Sequence, residues 1–190
     1  MNVTQYVMAC QAEQDRLRAL LPAGYTSLRP VLRINAEIRD GKTGYLEFNT
    51  AAEKDGARGW CNIAAWQDVP FTLEGKTAIF HLPFLRISFT GVGIEGGCPA
   101  ERDNVGCFFP GPPERLRAPE RIDQKKEFCD CSFAWHFAPG DAHGVSTGKT
   151  LPADPTAPQI SYLKAALTAE NAARIPCQQV LGSYLVRFVR

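Results

Sequence analysis

Two lysines stand side by side at Lys125-Lys126. Adjacent ammonium groups repel each other, and burial adds a second penalty on their charge. Both effects depress an amine pKa and expose a nucleophile for Schiff-base formation with a carbonyl. Lys126 is the candidate nucleophile, although Asp123 and Glu127 also give the pair the look of a solvated loop before a strand. His136 falls on the polar side of an alternating run that also carries Asp130 and Ser132. Facing a pocket, it would serve as a general acid or base with Asp130; facing water, it would do nothing. Arg33, Glu37 and Glu47 share the polar face of one hairpin. A solvated exterior explains them and is the first reading; turned inward, the same face would be a binding site.

Other motifs fail on context. Gly91-Val-Gly-Ile-Glu-Gly96 has the G-x-G-x-x-G spacing, but a dinucleotide site needs a helix to start there, and the surroundings read as strand and loop. Thr147-Gly-Lys-Thr150 resembles the end of a phosphate-binding loop. Its upstream glycine, Gly144, is one residue too close, and Pro152 and Pro155 forbid the helix that must follow. Cys129 and Cys131 are separated by one residue on a strand, so both thiols point to one face; this is not the C-x2-C spacing of structural zinc. No cofactor and no metal is expected.

The elements that would position these residues are mostly strands. Residues 3–10 read as a strand and 11–21 as a helix stopped by Pro22 and Gly24. Residues 31–38 alternate strictly, Leu32, Ile34, Ala36 and Ile38 against Arg33, Asn35 and Glu37. Turns at 40–44 and 53–56 link this strand to 45–50 and 59–66, giving an antiparallel meander. Further strands are expected at 76–82, 84–90, 128–138 and 180–189, the last with a bulge at Gly182. Residues 91–126 and 141–158 read as long irregular excursions, and 161–167 and a segment after the Thr168 cap up to Ile175 as helical. The fold class is mainly β (α+β): an antiparallel, closed or partly closed β-barrel with peripheral helices, over a single domain of residues 1–190.

The totals set limits on partners. The chain has 190 residues, 45% hydrophobic and 22% charged, with a net charge of +1. That balance suits a folded globule and offers no electrostatic footprint for nucleic acid or an anionic membrane. Arg115, Arg117 and Arg121 alternate with acidic and proline residues and read as a solvated loop. Residues 1–10 lack the basic and apolar regions of a secretory signal, and the seven cysteines are an odd number, so free thiols in a reducing cytoplasm are expected. A small-molecule ligand is the expected partner. Aromatic strands facing a second subunit would make a homo-oligomer.

One resemblance narrows the chemistry. The helix ending Leu20-Leu21-Pro22-Ala23-Gly24, followed by the strand from Pro30 to Glu37, resembles the opening of the acetoacetate decarboxylase-like superfamily. The resemblance implies a large antiparallel barrel around a small-molecule pocket, and a Schiff base formed by one of two adjacent lysines in a Gly-rich segment. Here that segment, Glu95 to Arg102, holds no lysine, and Lys125-Lys126 comes later. The resemblance implies that Glu95 and Arg102 occupy the loop of the reactive group. The expected function is that of a metal-independent enzyme acting on an oxo or carboxylic acid by decarboxylase, lyase or hydratase chemistry. Arg102 or Arg33 would bind a carboxylate, Glu95 or Glu47 would move a proton, and Lys126 would be the nucleophile. The alternative is a non-catalytic binding barrel of lipocalin type, lined by Trp60, Trp66, Phe133 and Trp135.

Overall fold

The structure is a computed structural model, and it describes residues 1–82, 85–97, 105–111, 113–135, 160–162 and 178–190. The strands are β1 (Asn2–Gln11), β2 (Thr26–Arg39), β3 (Thr43–Lys54), β4 (Ala57–Trp66), β5 (Phe71–Glu74), β6 (Thr77–Leu82), β7 (Leu85–Glu95), β8 (Cys107–Phe109), β9 (Arg115–Arg117), β10 (Glu127–Trp135), β11 (Ile160–Tyr162) and β12 (Gln179–Val189). All twelve join one sheet in the order β5-β6-β7-β10-β12-β1-β2-β3-β4-β8-β9, with β11 added on β4. Neighbours are antiparallel except β4 and β8, which run parallel.

The central meander follows from its turns. Asp55 and Gly56 both have positive φ, 51° and 77°, and form a two-residue loop between the paired Lys54 and Ala57. That geometry matches the right-handed twist of the strands it joins. The expected bulge beside Gly182 is present: Ala9 pairs with Gly182 and Cys10 with Val180, leaving Leu181 unpaired.

Among the described residues the expected closed or partly closed barrel is not formed. The hydrogen-bonded path ends at β5 on one side and β9 on the other, so the sheet is open. It is nonetheless strongly bent. β1 and β7 are three strands apart, about 14 Å along a flat sheet, yet the Tyr6 and Phe89 ring centroids lie 5.3 Å apart. The bend occurs where β10 and β12 share only two paired positions, Glu127 with Leu185 and Phe128 with Tyr184. A ladder that short lets the two halves fold face to face. Between them lies the larger core, with Met8, Ile34, Phe48, Trp66, Phe80, Ile87 and Phe89.

Several local expectations also change. The helix expected over 11–21 is one turn, α1 (Gln14–Arg18), because β1 takes Gln11 and no side chain caps the helix start. The irregular 91–126 stretch contains the end of β7 together with β8 and β9, so Gly91 to Glu95 are strand rather than loop. Arg115 and Arg117 are strand residues, exposed as expected. Strand β5, missed in sequence, is a four-residue hairpin arm turned back at Gly75. Ser161 and Tyr162, expected to start a helix, sit in β11 against Ala65 and Trp66. The rest of that helix, the helical segment up to Ile175, the Thr147–Thr150 motif and the 141–158 loop lie outside the described residues. Among the described residues, no helix is long and apolar enough to cross a membrane.

Candidate functional site

Alternation gives β1 to β4 a second face, opposite the large core. Its apolar part is Val7, Ala9, Val31, Ala51, Trp60, Tyr184 and Val186. Its polar part is the hairpin row expected to be solvated, and that expectation is overturned. Arg33, Asn35, Glu37, Asn49 and Asn62 are all buried, Arg33 retaining 8% of its surface and Glu37 3%. The chain itself explains the burial. To pass from β9 at one end of the sheet to β10 beyond β12, it must cross back over this face. Ile122 and Cys107 pack on its apolar part, Glu120 bonds Arg190, and Lys126 lies over the Tyr184 ring at 5.5 Å.

Cross-strand register assembles the polar residues. Ala9, Arg33, Asn49 and Asn62 form one row across β1, β2, β3 and β4; Tyr184, Val7, Asn35 and Glu47 form the next. Glu47 is the focus. Its carboxylate accepts from Asn35 Nδ2 (3.0 Å) and Asn49 Nδ2 (3.3 Å) at Oε1, and from the Tyr45 hydroxyl (2.8 Å) at Oε2. Asn35 in turn accepts from Arg33 Nη2 at 3.4 Å, so an amide stands between the guanidinium and the carboxylate. Arg33 stacks over Trp60 at 5.3 Å, and its Nε is buried without a partner. Among the described residues no carboxylate pairs with Arg33.

A β-bulge shapes the far end of the row. Phe48 faces Ala64 while Asn49 faces Asn62, so Ile63 is the extra residue. The Asn62 amide donates both to Asn49 Oδ1 and to the Ala64 carbonyl, each at 3.2 Å. Strand β8 then seals the edge. It docks so close to β4 that a Cβ on Gly59 would lie 2.2 Å from the Gly106 carbonyl, and this sets Cys107 opposite Trp60. Burial pushes the Cys107 thiol pKa up; Arg33 opposes the rise and Glu47 adds to it.

Farther along the same face, Glu37 is held differently. Burial pushes its pKa up, but hydrogen bonds and charge from Arg190 and Arg39 outweigh that and hold it below the usual value. Arg190 bonds both Glu37 oxygens, at 2.8 and 3.0 Å, and also Glu120. Glu37 is thus neutralised, whereas Arg33 is not. An open groove of about 850 Å³ lies beyond it, at the strand ends by Asn2, Lys76 and Arg187, away from Arg33 and Glu47.

The sequence-predicted residues therefore divide. Arg33, Glu47 and Trp60 come together. Trp66 does not: it sits on the opposite face, edge-on to Phe48 at 5.2 Å in the large core, with Phe133 packed against that same core. The aromatic lining expected of a lipocalin-type pocket is therefore split between two faces. Trp135 ends β10, and its side chain lies outside the described residues, as do Arg102 and His136. Glu95 is exposed and bonds Lys125 at 2.9 Å; that bond raises the Lys125 pKa, the reverse of the depression expected for paired lysines. The lysine pair nonetheless lies beside the Gly-rich segment, since Gly96 N–H donates to the Lys126 carbonyl at 2.9 Å. Asn35, Tyr45, Asn49, Asn62 and Cys107 were missed. The available signal was asparagine itself, depleted from strands and here repeated at inward positions of three neighbouring strands.

No family model and no curated protein matches the sequence. Solved structures do match in shape. An acetoacetate decarboxylase-like enzyme from Sphingomonas wittichii superposes with a TM-score of 0.56 at 13% identity, covering 98% of this chain and 88% of that one. Acetoacetate decarboxylase from Legionella pneumophila gives 0.57 at 11% identity, over 98% and 81%. The enduracididine biosynthesis enzyme MppR complexed with pyruvate gives 0.54 at 13% identity, over 98% and 84%. With nearly the whole chain superposed on each, this protein has an acetoacetate decarboxylase-like fold.

Proposed function

We propose that the protein is a small-molecule enzyme of acetoacetate decarboxylase-like type, acting on an oxo acid through decarboxylase, lyase or hydratase chemistry. One observation carries this reading: a buried guanidinium, Arg33, bonded to an amide rather than a carboxylate, beside a carboxylate, Glu47, aimed by three neutral donors. A buried cation without a counter-ion is costly, and an incoming substrate carboxylate removes that cost while bonding to the planar fork. Arg33 anchors the substrate and Glu47 moves a proton at the carbon beside the carbonyl. Lys126 stands on the same face, over Tyr184, two strands from Asn35 and so about 10 Å along the sheet. Its amine attacks the carbonyl carbon, water leaves, and the resulting iminium draws electrons from the adjacent bond. The pyruvate in the MppR complex supports this assignment, because it carries one carboxylate and one carbonyl, the groups that Arg33 and Lys126 address.

The test is borohydride reduction in the presence of pyruvate, followed by peptide mass mapping. A reduced adduct on Lys126, lost in Lys126→Met, is the expected result. Pyruvate that binds in an Arg33-dependent way without adduct on any lysine overturns the Schiff-base step.

A further inference from the structure

Around Arg33, three polar atoms are buried and unpaired: the Arg33 Nε donor, the Trp60 Nε1 donor and the Asn62 Oδ1 acceptor; the neighbouring Arg29, also over the Trp60 ring at 5.7 Å, has interactions of its own. All three side chains are more than nine-tenths buried. They belong to one patch. Arg33 lies over the Trp60 ring, Asn62 shares the cross-strand row of Arg33, and Trp60 and Asn62 are two residues apart on one side of β4. The orientation of Asn62 is fixed by chemistry. Its nitrogen must face the Ala64 carbonyl, which only accepts, so its oxygen is the free end.

A carboxylate on Arg33 leaves one donor and one acceptor, Trp60 Nε1 and Asn62 Oδ1. A hydroxyl is the smallest group that satisfies both, accepting from the indole and donating to the amide. We infer that Trp60 and Asn62 read a hydroxyl group, so that the preferred substrates are hydroxylated oxo acids rather than plain ones. This rests on the reading of Arg33 as the carboxylate anchor. Leaving buried partners unpaired is what lets such a site reject the analogue lacking the hydroxyl.

Calorimetric titration of 4-hydroxy-2-oxobutanoate against 2-oxobutanoate tests it. The wild type is expected to bind the hydroxylated acid at least about tenfold more tightly, the ratio one buried unsatisfied group supports. Asn62→Leu should bring the ratio within about twofold. Trp60→Phe keeps the ring and removes the donor; it should also lower the ratio and serves if the Asn62 variant does not fold. Equal binding of both acids by wild type, through Arg33, overturns the hydroxyl reading alone and leaves these atoms to ordered water. Failure of both acids to bind, or binding unchanged in Arg33→Met, overturns the anchor reading beneath it.

Discussion

Replacing Arg33 by methionine separates a residue kept for a ligand from one kept for the fold. The substitution removes a 3.4 Å hydrogen bond to Asn35 and a stack over Trp60 at 5.3 Å. Together these are worth about 2 kcal/mol, the hydrogen bond being long and its acceptor a neutral amide. It also removes a buried cation that meets no carboxylate among the described residues, and replacing buried charge by apolar volume returns roughly 1–4 kcal/mol. The net effect on the free protein lies between about 1 kcal/mol lost and 2 kcal/mol gained. At this chain length that is a melting temperature lowered by at most about 4 °C or raised by up to about 8 °C. Carboxylate binding moves the other way. The loss of a charge-assisted bond of about 1.5–3 kcal/mol weakens pyruvate roughly 10- to 150-fold. Differential scanning calorimetry and isothermal titration read the two effects separately. A variant destabilised by about 3 kcal/mol or more refutes the reasoning, because Arg33 would then be holding the fold together.

The Glu37 cluster should set acid sensitivity. Its folded pKa is depressed by Arg190 and Arg39, so its stabilisation is complete above the unfolded value of about 4.3 and is lost as pH falls through the lower folded value. Urea unfolding of Glu37→Gln should therefore show a weaker dependence on pH below about 5 than wild type. Gly59→Ala forces a Cβ to within 2.2 Å of the Gly106 carbonyl. It should cost about 1–3 kcal/mol in denaturant and speed iodoacetamide labelling of Cys107 as β8 lifts from β4. Asn35→Ala removes the amide between Arg33 and Glu47, and should leave stability unchanged or raised while weakening pyruvate at least about tenfold in calorimetric titration.

Much of this was legible because strand alternation is a strong signal. The period of two over 31–38 and 45–50 placed the meander and its two faces, and even assigned Arg33, Glu37 and Glu47 to one side. It could not say which side was covered. A row reading Arg-x-Asn-x-Glu looks alike on a wet surface and under a crossing segment, and only the return of the chain from β9 to β10 decides between them. The open sheet was hidden for a related reason. Strand number is visible in sequence, but closure depends on whether the first and last strands of the path meet, and here the path ends at the short β5 and β9, not at the chain termini. Strands β8 and β9 were invisible because three-residue segments carry no period and form only where a partner edge exists. Asn62 was missed because its role depends on the Ile63 bulge, and a bulge is a fact of register between two strands.

The separation of Arg33 from Glu47 is the most informative feature of the polar face. Two opposite charges 4 Å apart attract by about 4 kcal/mol in an effective dielectric of about 20. Residues in neighbouring rows of adjacent strands could satisfy that attraction directly; on the same sheet face Glu37 does pair directly, with Arg39 of its own strand at 2.7 Å and with Arg190 at 2.8 Å. At Arg33 the bond goes to Asn35 instead, and Asn35 hands a separate bond to Glu47. The amide takes one charge on each of its ends and keeps them from neutralising each other. Tyr45 and Asn49 then hold the carboxylate from two further directions, so it is aimed without being cancelled. One sheet face thus carries one acid–base set that is internally paired and one that is held open. Stability alone favours the first arrangement, and the second is the one that supports the proposed ligand.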